Sequence, residues 1–464
     1  MSIALSSTST PQDRSVSRSS VRVGAKLSWI ERAALGVAVF EVPLQLDKYI
    51  GFQEEHANLG AVAGLNVSLT LLAMIFLYCV WFASGAIKRS RQLCGLTIGI
   101  PMIVYISLVA LSVVTAGVRF LAICDLFLVL QAYMLFFYVA NRIQDRQDIV
   151  FVVGCLAATL VFQSLLIFGL AVLGESGELY DFGPILLSVW SDGRPTGSMQ
   201  SAVLAGSVMA MLWLPALGLS LSSVGAATKR WMLVSIAIGL VAIMLTQTRG
   251  AIATTIVGTG VLGLATLSRG WLPRQAVVAA GLVALISVVP LATVIKKRVL
   301  GDDGGSAGAR KHLSVIAWDM IQDRPLFGCG SGNCHLAGIP YASRSNFHAE
   351  WYYTIHCKYL LTWIETGVFG LLAFLWVIGN GIRQGLGAWS SRHRMLAPLG
   401  LAVALAITGY SIHMLVDIFN SRTQVQMLWI VLGLSAAVYR MARSEQSADK
   451  RARQSSLGGL SHGA

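Results

Sequence analysis

Arginine and histidine side chains lying outside the long apolar runs are the groups in this sequence best suited to chemistry. Arg249 occupies Thr246-Gln247-Thr248-Arg249-Gly250, a short turn between two apolar stretches, and Arg310 opens a segment with helical patterning. His356 falls in Trp351-Tyr352-Tyr353-Thr354-Ile355-His356-Cys357, which runs straight into another apolar stretch. A guanidinium presents a planar fork of donors that suits an oxyanion, and a neutral imidazole takes a proton near pH 7. His356 stands at the N-terminal end of its helix, where the positive dipole disfavours imidazolium and suits a neutral base. Arg310 stands in a first helical turn, a poor place for a cation on the same grounds, so something other than helix stability would hold it there. Plainer roles stay open, with Arg249 a snorkelling partner of a helix C-terminus and His356 an interfacial side chain.

Phe327-Gly328-Cys329-Gly330-Ser331-Gly332-Asn333 sets three glycines at alternate positions. Such a run either brings backbone amides up to an anion or makes a plain tight turn. Cys329, Cys334, His335, His348, His356 and Cys357 are close in sequence, but none has CxxC or HxxxH spacing, and no Asp-x-Asp occurs anywhere in the chain. No metal ion or other cofactor is therefore expected. Cys329, Cys334 and Cys357 leave room for one disulfide, with its pairing open.

The elements that must position these groups are membrane helices. Of 464 residues 55% are hydrophobic and only 12% charged, against about 25% charged in soluble domains. With a mean hydropathy of +0.68, a soluble globular or disordered chain is excluded, and an all-α polytopic helix bundle is expected. Runs of spanning length, roughly 17–25 residues, fall near 28–46, 65–86, 95–117, 118–140, 149–173, 200–220, 231–248, 251–268, 276–295, 357–380, 397–415 and 424–440. That predicts about twelve transmembrane helices and one large extramembrane segment late in the chain. The runs are continuous rather than dyad-patterned, which excludes a β-barrel.

Lys and Arg in the connections set the orientation. With the N-terminus in the cytoplasm, 22 of the 35 basic residues fall on the inner side, and an even helix count puts the C-terminus there too. The organisation reads as a disordered cytoplasmic arm 1–27, nine helices in 28–295, an outer loop 296–356, three helices in 357–440, and a basic cytoplasmic tail 441–464 lying against anionic lipid heads. The arm has no apolar core before Ile30, so no cleavable signal peptide is expected; its Arg and Ser content faintly matches a transit peptide. The outer loop is basic, with Lys296, Lys297, Arg298, Arg310, Lys311, Arg324, Arg344 and Lys358 in or beside it. Either long loops translocate whatever their charge, or an anion is bound outside. Within the loop, Leu313, Ile316, Ala317, Met320 and Ile321 form one helical stripe ending before Pro325, with Trp318 expected near the headgroups.

From Arg310 to Phe374 the sequence resembles the O-antigen ligase and polysaccharide polymerase superfamily of bacterial inner membranes. The resemblance rests on Arg310, on Pro325-Leu326-Phe327-Gly328 through Asn333, on His356, and on Leu360 to Phe374 with Glu365, Gly367 and Gly370-Leu371-Leu372. Thr248-Arg249-Gly250 and Arg194-Pro195-Thr196-Gly197-Ser198 are similar to two further elements of that family, whereas Cys357 stands where its members often have Asn. The resemblance implies a metal-independent glycosyltransferase of the bacterial inner membrane that moves a glycan from an undecaprenyl diphosphate carrier to a sugar hydroxyl. It implies His356 as the catalytic group at the acceptor, and Arg249, Arg310, Arg194 and Arg324 as substrate-binding forks. The acceptor is another glycan chain (polymerase) or lipid A-core (ligase); polymerase is favoured because nothing reads as a lipid A-core docking domain. Membrane lipids and a chain-length regulator are the other expected partners, and no nucleic acid is. A transporter or flippase would instead rely on mid-membrane ionisable residues, for which Asp125 and Glu365 are the candidates, and a scaffold would leave the outer arginines unexplained.

Overall fold

The computed structural model describes residues 26–58, 60–84, 95–183, 185–272, 306–344 and 354–458. The expected span 276–295, nearly all of the arm 1–27, and residues 296–305 and 345–353 of the long loop lie outside them.

The chain enters at Ser28, whose hydroxyl and backbone form a capping box with Glu31, starting α1 (Trp29–Glu41). Helix α1 has 13 residues, about 20 Å of rise, so the run 28–46 is not one full-length span. Its ends are fixed by buried charge. Glu31 pairs with Arg142 at 2.8 Å and Arg32 with Asp148 at 2.8 Å, while Glu41 pairs with Arg422 at 2.8 Å, an arginine that Asp47 also meets at 2.9 Å. An antiparallel hairpin follows, β1 (Asp47–Ile50) with β2 (Leu65–Ser68), flanking the short α2 (Glu54–Asn58). The expected span at 65–86 thus begins as a strand and becomes helix only in α3 (Leu69–Ala83).

Helices α4 (Gly95–Thr115), α5 (Arg119–Arg142) and α6 (Arg146–Leu173) come next, then the hairpin β3 (Leu179–Phe182) and β4 (Ile185–Ser188). The rest is α7 (Ala202–Ser220), α8 (Ala226–Leu245), α9 (Arg249–Ser268), α10 (Ser306–Asp323), α11 (Cys334–Arg344), α12 (Lys358–Trp389), α13 (Leu396–His413) and α14 (Arg422–Gly458). Among the described residues, eight helices are long and apolar enough to cross a membrane: α5, α6, α7, α8, α9, α12, α13 and the first 29 residues of α14. The protein is an integral membrane protein of mostly helical structure. Helix α14 continues to Gly458, so the last span and much of the basic tail are one helix.

Helix α7 is the hub. Nearly every residue in it is buried, and α8, α9 and α13 pack around it. Small residues permit this closeness, as is usual where helices meet in lipid. A Cβ on Gly258 of α9 would sit 2.7 Å from Leu214 of α7, and one on Gly218 of α7 would collide with Ala402 of α13. On the far side, α12 packs against α13, α4 and α14, and α14 against α5. One end of this bundle gathers the starts of α9 and α12 with the finish of α13.

Candidate functional site

The expected stripe on α10 is present: Leu313, Ile316, Ala317, Met320 and Ile321 are all buried, in a small core with Cys329, Cys334, Leu361 and Ile364. Trp318 is half-exposed and meets Trp363 edge-on, with ring centroids 6.2 Å apart. Beyond α10 the glycine-rich run docks onto α12, and α12 is not continuous. At Gly367 the backbone turns to φ 74°, ψ 179°, a region open almost only to glycine. The carbonyls freed by that break are taken up by the loop: Cys329 N donates to Ile364 O at 2.8 Å, and Gly330 N to Glu365 O at 3.0 Å. In return Val368 N donates to Pro325 O at 2.9 Å.

The next three amides of the run are also committed. Ser331 N donates to Ser112 Oγ at 3.2 Å, Gly332 N to Glu365 Oε1 at 3.0 Å, and Asn333 N to Gly330 O at 3.2 Å. Asn333 accepts from Val118 N at 2.7 Å, and Ser331 Oγ bonds the Asp125 carboxylate. Amides 329–333 therefore clamp α10 onto the bundle and do not cradle an anion. Asp125 and Glu365, the mid-helix acids a transporter would need, are bound into that same clamp. A Cβ on Gly367 would collide with the Leu326 carbonyl. Gly367→Ala is accordingly expected to lower the thermal unfolding midpoint in detergent and reduce folded yield, with left-handed strain alone costing about 1–3 kcal/mol.

Three of the expected residues lie with two that the sequence reading passed over. His413 ends α13, and its ring lies against Gly250, the residue after Arg249, so closely that a Cβ there would collide with Nδ1. Asp417 Oδ2 is 3.9 Å from His413 Nε2. One residue past His413, the Met414 carbonyl accepts from Lys358 N at 2.9 Å, which ties the His356-Cys357 approach to the same corner. The charges of Arg310 and of Asp417 both bear on both imidazoles. Arg249, Arg310, His356, His413 and Asp417 thus share one end of the bundle. Burial first, and then the Arg310 guanidinium, hold the proton affinity of His356 below the ordinary imidazole range, with Asp417 opposing. His413 and Asp417 stand four apart, a spacing that faces both to one side of a helix, but they lay at the edge of an apolar run and read as its end.

Arg194 and Arg324 are placed differently. Arg194 is buried, pairs with Asp192 at 2.7 Å and stacks over Trp190 at 4.6 Å. Arg324 follows the last turn of α10, 14 residues from Arg310, or about 21 Å along the helix. The two cannot grip the same diphosphate. Arg324 instead lines a cavity of about 400 Å³ with Val118, Met320, Asn333, Tyr341 and Ile364. Cys329, Cys334 and Cys357 are free thiols. His335 Nε2 meets His56 Nδ1 at 2.9 Å, and among the described residues no cluster of three His, Cys, Asp or Glu forms a metal site.

A protein-family model described as O-antigen ligase matches residues 234–375. The matched stretch holds Arg249, Arg310, Arg324, His356 and Glu365, and leaves Arg194, His413 and Asp417 outside. No curated protein matches the chain. A chain from a solved peptidoglycan synthase complex, in work on the coordination of polymerization and crosslinking, aligns at 14% identity over 74% of this chain and 97% of its own, with a TM-score of 0.39. At that score the likeness carries no weight for the site.

Proposed function

We propose that this chain is a membrane glycosyltransferase of the O-antigen ligase and polysaccharide polymerase superfamily, a reading supported by the family match over residues 234–375, and that it moves a glycan from undecaprenyl diphosphate to a sugar hydroxyl as a repeat-unit polymerase. The observation that carries this is that Arg310, whose charge acts on both His356 and His413, and Arg249, beside the Gly250 turn on which His413 packs, lie at one end of the bundle, where a lipid-linked donor can lie alongside the helices. In the transfer, the acceptor O–H bond breaks and its proton passes to His356. The acceptor oxygen bonds the anomeric carbon, and the carbon–oxygen bond to the carrier breaks with its electron pair leaving on the diphosphate. Arg249 and Arg310 take up that charge through charge-assisted hydrogen bonds, each contributing about 1.5–3 kcal/mol. The step needs no metal ion. Arg194, held by Asp192 and Trp190, and Arg324, beside its own cavity, serve the glycan rather than the diphosphate.

The reaction belongs on the periplasmic face of a bacterial inner membrane. Twelve spans, cytoplasmic termini and an outward segment 296–356 fit the 22 inner basic residues of 35. A ligase acting on lipid A-core is the second reading, favoured by the description of the matching family. Deletion separates the two. Loss of a polymerase leaves carrier-linked single repeat units and no long chains, and a chain-length regulator encoded with it has nothing to act on. Loss of a ligase piles up long carrier-linked chains absent from mature lipopolysaccharide. Glycans unchanged in both pools would reject both and favour a flippase.

A further inference from the structure

The acids of this chain are unevenly placed. None occurs between Asp192 and Asp302, and none between Glu365 and Asp417. Those two stretches hold α7, α8 and α9, most of α12, and α13, so this half of the bundle carries cations and no carboxylates of its own. Helix α9 starts beside the candidate site and runs for 20 residues, about 30 Å. That brings Arg269, the residue after its last, to the opposite end of the bundle. There the turn between α12 and α13 supplies Arg392 and Arg394.

These cations are held in place. The Arg269 guanidinium lies over the Trp389 ring at 3.5 Å and the Trp271 ring at 5.1 Å, and the two indoles meet edge-on at 5.7 Å. Its Nη1 donates to Ser391 O at 2.9 Å. His393 caps α13, its Nδ1 accepting from Met395 N and Leu396 N at 3.1 Å each. Ser223 N donates to Arg394 O at 3.1 Å, and Ser222 Oγ to Met395 O at 2.9 Å. The turn is thereby fixed, with the exposed Arg392 and Arg394 on either side of the capping imidazole.

What this corner lacks is negative charge. Among the described residues Arg269, Arg392 and Arg394 form no ion pair, and the charge of Arg392 bears on Arg269. Glu445 of α14 reaches the turn but is taken by His393 at 3.3 Å and by Arg146 at 2.6 Å. Like charges fixed close together repel, and an anion between them removes that cost. Guanidinium forks match phosphate, and indole rings at a helix end lie at headgroup level. An exposed apolar stripe on α9, Val257, Val261 and Leu264, leads along the helix toward Arg269 and offers a track for an acyl chain.

We infer that the end of α9 and the α12–α13 turn form a binding site for the headgroup phosphate of an anionic phospholipid, with Arg269, Arg392 and Arg394 as its donors. Basic pockets between membrane helices recognise such headgroups. Trp271 and Trp389 hold the Arg269 fork ready, and the α9 stripe favours a lipid over a soluble oxyanion. The site lies about 30 Å from the candidate catalytic end, so it stands or falls independently of the glycosyltransferase reading.

The test is native mass spectrometry of the full chain, delipidated in detergent and titrated with phosphatidylglycerol, phosphatidylcholine and, separately, inorganic phosphate. Wild-type protein should bind phosphatidylglycerol at least tenfold more tightly than phosphatidylcholine. The double variant Arg269→Gln/Arg392→Gln should lose at least tenfold in that affinity. Arg443→Gln/Lys450→Gln removes the same charge from exposed positions of α14 at the same end and should stay within twofold of wild type. An equal loss in both double variants would reduce the effect to a diffuse positive field and overturn the inference. So would phosphatidylcholine binding as tightly as phosphatidylglycerol, or inorganic phosphate binding as tightly as either lipid. Should the first double variant fail to fold, Arg392→Gln alone, at an exposed side chain, should still weaken phosphatidylglycerol at least threefold, and an unchanged affinity rejects the site.

Discussion

Arg310→Lys is expected to cut turnover by about 10²–10³-fold, the usual consequence of losing one donor aimed at developing charge. The substitution keeps the positive charge and most of the side-chain length, so a purely electrostatic role would tolerate it. Arg310 is partly buried at the site corner with a committed helix behind it, and its Nε lies out of water without a hydrogen-bond partner. A planar fork in that position binds two oxygens at once, whereas an ammonium offers a point charge that cannot reproduce the geometry. Because the stripe of α10 is untouched by the change, folding should be unaffected. Purified enzyme assayed with the lipid-linked glycan from a deletion strain checks this, and a loss under tenfold would remove the fork from the mechanism.

His356→Ala should lose about 10²–10⁴-fold in turnover, the range of general base catalysis, while binding of the carrier-linked donor holds near wild type. The pH profile gives a separate reading. Burial and Arg310 keep the imidazole deprotonated to lower pH than usual, so its proton competes only below the ordinary value of about 6.5. The midpoint of the acid limb of wild-type turnover should therefore lie below pH 6.5. In Arg310→Gln the repulsion is gone, His356 protonates more readily, and the acid limb should move to higher pH. In His356→Ala the limb should vanish. A limb that stays put in both variants would assign it to another group.

Much of the site could be read from side-chain type and period. The stripe Leu313, Ile316, Ala317, Met320 and Ile321 is buried as its spacing required, and each apolar stretch other than 276–295 contains a helix, although 28–46 is helical only over Trp29–Glu41 and 65–86 only over Leu69–Ala83. What sequence concealed was chiefly long-range. The glycine-rich run was ambiguous between anion cradle and turn, because the acceptors that claim its amides come from the broken helix at Ile364 and Glu365. That break was hidden in turn, since Gly367 inside an apolar run is indistinguishable from a tolerated helix glycine. Arg310 and Arg324 were both expected to bind substrate, although the helix already expected between them sets them about 21 Å apart. His413 and Asp417 gave no signal because nothing local connects the end of α13 to the start of α9. Only packing at Gly250 does that.

The most direct trial of the central claim is a reconstitution. Purified protein in liposomes would be given the carrier-linked glycan that accumulates in its deletion strain, with acceptor glycan, in the presence of EDTA. Longer glycan chains should form, undecaprenyl diphosphate should be released in equal amount, and EDTA should change neither. Donor left intact by folded wild-type protein, with or without added divalent metal, would contradict the claim that this membrane protein is a glycan transferase.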